Sequence, residues 1–174
     1  MKKLLIVIDY QIDFVSGSLG SNRTEAIYLN VLNKVNEFIA NGDNIIFTKD
    51  THYENYISTL EGKYLPVPHC ILGTEGHKLF GKLEEIAKNY PVIEKETFPG
   101  IKLVDFLREK NEEFSEIQIC GILTDICVIS NAILVKSIYP NTPIKIIKNC
   151  CATTNDKIEN ETYDVMTSLQ FELI

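Results

Sequence analysis

The sequence has no run of basic residues, no C-x-x-C pair and no apolar stretch of membrane length. Each absence closes off a class of function. Lys and Arg number 17 against 24 Asp and Glu, a net charge of -7, so the clustered cations that nucleic-acid binding needs are missing. No segment approaches the roughly 20 apolar residues of a membrane span. The opening MKKLLIVIDY has the charged start of a secretory signal. Its apolar run ends at Asp9, short of the about seven apolar residues and the cleavage site such a signal needs. The expectation is a cytoplasmic protein. Five Cys, at positions 70, 120, 127, 150 and 151, form an odd set that reads as thiols rather than a disulfide frame. The vicinal pair Cys150–Cys151, placed after a strand, takes no assigned role.

What is present is an ordinary globular composition, 45% hydrophobic and 24% charged over 174 residues, enough for one domain spanning 1–174. Short β-branched runs at 4–8, 44–48, 91–94, 116–122 and 143–148 read as strands, and FELI at the end as an edge strand. Helical spacing recurs over 27–39, stopped by Gly42, and over 79–87, 103–107, 125–138 and 158–169. The helix over 125–138 is apolar on most faces and is therefore buried or a subunit contact. Alternating strands and helices with wholly apolar strands predict a single doubly wound (Rossmann-like) α/β domain, three-layer αβα, with a mostly parallel sheet. The longest irregular stretch, 50–76, is of the length that usually carries function.

In such sheets ligands meet the carboxyl ends of the strands. The residues expected just past those ends are Asp9, then Asp50 and His52, then Lys95, then Thr124, Asp125 and Cys127. Cys127 falls in the first turn of a helix with Thr124 as a candidate N-cap. Free N–H groups and the helix dipole there predict a lowered thiol pKa and a place for an oxyanion. Asp9 ends an apolar strand and calls for a partner or a role; Asp13 reads as a loop or cap residue. Taken singly, a structural cysteine, a capping aspartate and a solvated lysine are the plain alternatives. Their shared placement at strand ends favours a site. In the long loop, Asp50, His52 and His69 form a D-x-H…H set suited to Zn²⁺, or to Mn²⁺ or Fe²⁺, with Glu61 as a further ligand. Blind, that pattern is a weak metal signal.

Five segments, VIDYQIDF (7–14), TKDTH (48–52), PHCILGTEG (68–76), Lys95 in EKETF and GILTDICV (121–128), occur in an order that resembles the isochorismatase-like cysteine hydrolases, and among them the nicotinamidases. The resemblance spans essentially the whole chain. It implies a six-stranded parallel sheet and a Cys127–Asp9–Lys95 triad that hydrolyses a small amide through a thioester. It implies a cis peptide at Ile122–Leu123 and an oxyanion hole from the Leu123 and Cys127 N–H groups. It implies a divalent metal on Asp50, His52, His69 and, as in some members, Glu61. Without Trp, the substrate ring would be lined by Phe14 and Phe98, with Ile122 beside them. The loop after His52 departs from the more usual D-W-H-P form. The implied reaction is nicotinamide plus water giving nicotinate and ammonia. The alternatives are another small amide, ureide or carbamoyl substrate and, from a different class, a non-catalytic binding protein on the same scaffold. Isochorismate itself is disfavoured because relatives acting on it lack a Cys nucleophile. The resemblance also suggests a homo-oligomer, a dimer or tetramer.

Overall fold

The computed structural model describes residues 1–174. Its elements run β1 (Leu4–Ile8), α1 (Ile12–Val15), α2 (Asn22–Ala26), α3 (Tyr28–Asn41), β2 (Asn44–Asp50), α4 (Leu60–Tyr64), α5 (Leu83–Ala87), β3 (Val92–Lys95), α6 (Ile101–Lys110), β4 (Ile117–Ile122), a π-helical turn (Thr124–Val128), α7 (Ile129–Ile138), β5 (Ile144–Ala152), α8 (Asp156–Ser168) and β6 (Glu172–Leu173). All six strands pair in parallel in the order β3-β2-β1-β4-β5-β6. No helix is long and apolar enough to cross a membrane.

Every residue of β1 and β4 is buried, as expected of strands covered on both faces. Right-handed crossovers put α3 on one face of the sheet and α6 and α7 on the other. On α3, Val31, Leu32, Val35 and Phe38 turn inward, and Gly42 at φ 67° ends the helix in the left-handed conformation. The chain moves outward from β1 to β2 and β3, then returns to β4 on the other side of β1. That reversal is the topological switch point where open α/β sheets hold ligands. Gly121 is required there: at φ 125° it lies so close to β1 that an added Cβ would sit 2.0 Å from the Ile8 carbonyl oxygen.

Several boundaries differ from the sequence expectation. β2 continues to Asp50 and β3 to Lys95, so both side chains project from the last strand residue rather than beyond it. β5 continues to Ala152, which places Cys150 and Cys151 inside a buried strand and not after it. The helix expected over 79–87 begins only at Leu83. Gly81 at φ 59° interrupts it, and Leu79 pairs with Gln11 while the Phe80 N–H bonds the Tyr10 carbonyl. The 125–138 helix is split between the π-helical turn and α7. On α7, Asn131, Ala132 and Val135 are buried and Ile133 faces out.

At the opposite end of the sheet, Glu116 gathers Lys145 at 2.6 Å, Lys3 at 3.2 Å and the Gln118 amide at 2.5 Å. Burial pushes its carboxyl up, but these donors more than offset that and hold it down at about 2 against an ordinary 4.5. A depressed folded pKa gives stability that is present above the unfolded value and is lost as pH falls through the folded one. Wild type should therefore lose denaturant resistance between about pH 4.5 and about pH 2 more steeply than Glu116→Gln, measured by urea midpoints across that range. Parallel loss in the two proteins would assign the acid sensitivity elsewhere.

Candidate active site

Strand register decides which side chains meet. Ile8 is level with Gly121 and Asp50 is level with Lys95. Asp9 therefore leaves β1 beside the end of β4, and Asp50 and Lys95 lie side by side. Asp9 turns at φ 45°, a left-handed conformation uncommon outside glycine and frequent at functional sites. Thr48 holds it there: the Asp9 N–H donates to Thr48 Oγ1 at 3.2 Å, and that hydroxyl donates to Asp9 Oδ1 at 2.7 Å.

Lys95 is the meeting point. Its Nζ lies 2.6 Å from Asp9 Oδ2, 3.2 Å from Asp50 Oδ1 and 3.7 Å from Cys127 Sγ, and donates to the Thr97 carbonyl at 3.1 Å. Three distant chain segments thus converge, and Asp9, Lys95 and Cys127 are 0%, 2% and 5% exposed. Burial alone would lower the Lys95 pKa, but Asp9, Cys127 and Asp50 raise it above the ordinary lysine value, so the ammonium is retained. Burial raises the Asp9 carboxyl, with Lys95 opposing.

The expectation of a lowered Cys127 pKa is overturned. Burial pushes the thiol well above its ordinary value and Asp9 adds to the rise, with Lys95 acting the other way. The helix start that was to lower it is a π-helical turn with no side-chain cap, and Thr124 is not the N-cap. Its hydroxyl donates to Glu159 instead. Burial thus pushes both the Cys127 thiol and the Asp9 carboxyl up, with Lys95 opposing each.

The Ile122–Leu123 peptide is cis. The Ile126 and Val128 N–H groups turn back to the Leu123 carbonyl. Those of Leu123 and Cys127 take no partner among the turn and loop hydrogen bonds. The fully buried Ile122 lies beneath this turn.

Beside the triad, single ligand atoms of Asp50, His52, Glu61 and His69 lie within 4.8 Å of one another. Asp50 Oδ2 is 3.0 Å from His52 Nε2 and 3.6 Å from His69 Nε2, and Glu61 Oε1 is 3.5 and 3.6 Å from the same two nitrogens. Ligands held at about 2.0–2.1 Å around a tetrahedral Zn²⁺ stand about 3.3 Å apart, so these spacings suit such an ion. His52 Nε2 and Glu61 Oε1 are buried with no hydrogen-bond partner. The His69 Nδ1–H can donate to the Val67 carbonyl at 2.8 Å, leaving Nε2 as a lone pair facing the cluster. The donor set fits a divalent cation. Burial lowers the His52 pKa, but Asp50 and Glu61 reverse that and carry it up to about 9. Asp50 is pushed up by burial, yet His52, His69 and Lys95 hold it far below the usual carboxylate range.

Of the expected ring-pocket residues, Phe14 is buried with its ring 5.3 Å from that of His69, whereas Phe98 is 42% exposed. Several site residues carried no sequence signal. Gln11 clamps the main chain of Asp50, accepting from its N–H at 2.7 Å and donating to its carbonyl at 2.9 Å. Asn131 donates to the Cys127 carbonyl at 2.8 Å and to the Phe98 carbonyl at 2.9 Å. Tyr56 lies against both cluster imidazoles. Asp13, read as a loop residue, does fix the loop: it accepts from the Cys70 N–H at 2.8 Å.

A family model described as the isochorismatase domain matches residues 3–173. An uncharacterised isochorismatase-family protein of Bacillus subtilis is 36% identical over 147 residues, 76% of this chain and 78% of its own. The crystal structure of a nicotinamidase/pyrazinamidase from Bacillus subtilis superposes with a TM-score of 0.86 at 30% identity, covering 99% of each chain. That of a pyrazinamidase/nicotinamidase from Streptococcus mutans gives 0.86 at 27% identity, covering 99% of this chain and 100% of the other. With the site, these similarities place the protein in the class of amide hydrolases. The chain belongs to the isochorismatase family.

Removing Lys95 strips the counter-charge from two buried carboxylates. Breaking a buried pair this way costs about 3–5 kcal/mol. Lys95→Met should therefore lose about that much in chemical denaturation, and Asp9→Asn on that background should restore part of it. A loss below about 1 kcal/mol would mean the carboxylates do not depend on the ammonium.

Proposed function

We propose that this protein is a metal-containing nicotinamidase, hydrolysing nicotinamide to nicotinate and ammonia through a thioester on Cys127. The observation that carries this reading is the division of Asp50. One oxygen accepts from the lysine that contacts Asp9 and Cys127, and the other faces the imidazoles of the metal-ligand cluster. A hydrolytic centre and a cation site so joined suit a small amide whose ring also carries a ligand atom. The bound metal, Zn²⁺ or else Mn²⁺ or Fe²⁺, would rest on Asp50, His52, His69 and Glu61 and supply a Lewis-acid anchor for a ring nitrogen. The nicotinamidase names of similar solved structures support the choice of substrate.

In the reaction so read, Asp9 takes the Cys127 proton as sulfur attacks the amide carbon. The carbonyl electrons move to oxygen, which accepts from the Leu123 and Cys127 N–H groups. As the C–N bond breaks, Asp9 passes its proton to the departing nitrogen and ammonia leaves. Water then loses a proton to Asp9 and attacks the thioester. The C–S bond breaks, the Asp9 proton returns to sulfur, and the acid leaves, giving its remaining proton to water or to the released ammonia as it becomes nicotinate. Lys95 remains cationic throughout, balancing whichever of Asp9 and Cys127 carries the negative charge.

A second reading, hydrolysis of another small amide, ureide or carbamoyl compound, is favoured by Phe98, whose exposure leaves one wall of a ring pocket open. The overall reading extends to a cytoplasmic homo-oligomer, with the outward Ile133 of α7 available for subunit contact.

Ammonia release from nicotinamide, compared with a panel of ureides and carbamoyl compounds, separates the two substrate readings. Nicotinamide should be turned over fastest, and preferential turnover of a ureide would transfer the protein to the second. Cys127→Ala should reduce release to background with the near-UV spectrum preserved; substantial residual turnover would exclude this sulfur as nucleophile. His52→Ala should lose bound metal by elemental analysis and raise KM. Unchanged kinetics after chelation would remove the metal from the reaction.

A further inference from the structure

Behind the nucleophile turn lies a polar cluster with no part in the reaction above. The fully buried Thr124 donates its hydroxyl to Glu159 Oε1 at 3.0 Å. The neighbouring Asp125 accepts from Thr153 Oγ1. Arg23, on α2, binds these groups together. Its Nε donates to the Thr153 carbonyl at 2.8 Å, and its two terminal nitrogens donate to Asp156 Oδ1 at 2.5 Å and Glu159 Oε2 at 2.7 Å. The Tyr163 hydroxyl lies 3.5 Å from Glu159 Oε1. One Glu159 oxygen therefore holds the turn and the other is held by Arg23.

Two features separate this from a surface ion pair. Thr124 is the first residue of the π-helical turn, one past the capping position held by Leu123. Its hydroxyl makes no cap and is spent on α8 instead. Thr124 is 0% exposed, so its hydroxyl depends on protein partners, and Glu159 is the one it donates to. The Leu123 and Cys127 amides lie one residue before and three after Thr124. How their N–H groups converge therefore depends on how Thr124 is seated.

We propose that Glu159, backed by Arg23, is a positioning residue for the nucleophile turn: by holding Thr124 Oγ1 it sets the direction of the Leu123 and Cys127 amides and of the Cys127 sulfur. The inference rests on Cys127 being the nucleophile. Glu159 touches no reacting atom and acts through Thr124 alone. A displacement of about 1 Å at a reacting group can cost about a hundredfold in rate, so a loosened seat for the turn has a measurable consequence.

The test compares Glu159→Ala, Thr124→Val and Thr124→Ser with wild type, using the metal-loaded enzyme and nicotinamide. Turnover is expressed per alkylatable Cys127, and the rate at which iodoacetamide labels Cys127 without substrate is followed by peptide mass spectrometry. Glu159→Ala and Thr124→Val should each lower kcat about tenfold or more with KM within about twofold, and slow alkylation in step. Thr124→Ser, which keeps the donor, should stay within about twofold of wild type. The Glu159→Ala/Thr124→Val double variant should be no worse than Glu159→Ala alone, because both changes remove the Thr124–Glu159 contact. If Tm falls while kcat per thiol and the alkylation rate stay within about twofold of wild type, Glu159 only stabilises the fold and the proposal is overturned. Should Glu159→Ala fail to fold, the Val and Ser variants at Thr124 decide the matter. Should wild type leave nicotinamide untouched, the substrate reading fails while the alkylation comparison still tests the positioning.

Discussion

One buried ammonium governs the site. Lys95, 2% exposed, faces two carboxylates and a thiol from three separate segments, the residue after β1, the end of β2 and the turn after β4. Without it, Asp9 and Asp50 would be two buried anions within reach of each other, an arrangement that normally forces one to hold a proton. With it, Asp50 stays ionised far below the ordinary range and can face imidazoles on its far side. Asp9 remains free to gain and lose a proton. The Asp50–His52–Glu61–His69 cluster and the Asp9–Cys127 pair are therefore not two groups that happen to be adjacent. They share one counter-charge, and each would be costly to bury without it.

The parallel sheet makes that sharing possible. In parallel pairing the carboxyl ends of all strands lie at the same edge of the sheet, so side chains near those ends can converge. Asp50 and Lys95 are register partners, and Ile8 and Gly121 are likewise. The close approach at Gly121, where no side chain fits, lets the turn carrying Cys127 begin directly beside the turn carrying Asp9. Positive φ angles at Asp9 and Cys70 occur on both margins of the site. Each is held by a specific hydrogen bond, to Thr48 and Asp13 respectively, which is the support such conformations need.

Much of this was legible in the sequence because it is a matter of strand ends. Apolar runs locate strands well, and the residue at each run's carboxyl end must lie at one rim of a parallel sheet. Asp9, Asp50, Lys95 and Cys127 could be brought to one place on that ground. The resemblance to a known family supplied the cis bond. Local periodicity failed where tertiary contacts override it. The apolar spacing over 79–87 reads as helix, yet Leu79 and Phe80 are drawn into pairing with Gln11 and Tyr10. Hydrophobicity ended β5 too early, because Lys148 and Asn149 interrupt a strand that continues to Ala152. The bracing residues Gln11, Thr48, Asn131 and Glu159 were illegible for another reason. Each acts on the backbone or on a neighbouring side chain of a residue far away in sequence, and nothing local in composition or spacing marks such a role.

The thiol is where a local rule and the folded environment conflict most sharply, and the outcome bears on mechanism. A cysteine at an open helix start would rest as a thiolate, ready to attack but with no proton to give. Cys127 is instead buried beside Asp9, and burial pushes its thiol up, with Asp9 adding to the rise and Lys95 opposing it. In the proposed reaction that proton would pass from the sulfur to Asp9 within the buried pair. Amide cleavage requires that proton later, since the nitrogen departs as ammonia only once it is protonated. On the proposed reading, a buried pair that passes one proton between its members, with a fixed cation beside both, suits amide cleavage. On this physical account, the depth of the site and the fixed ammonium are two halves of one requirement.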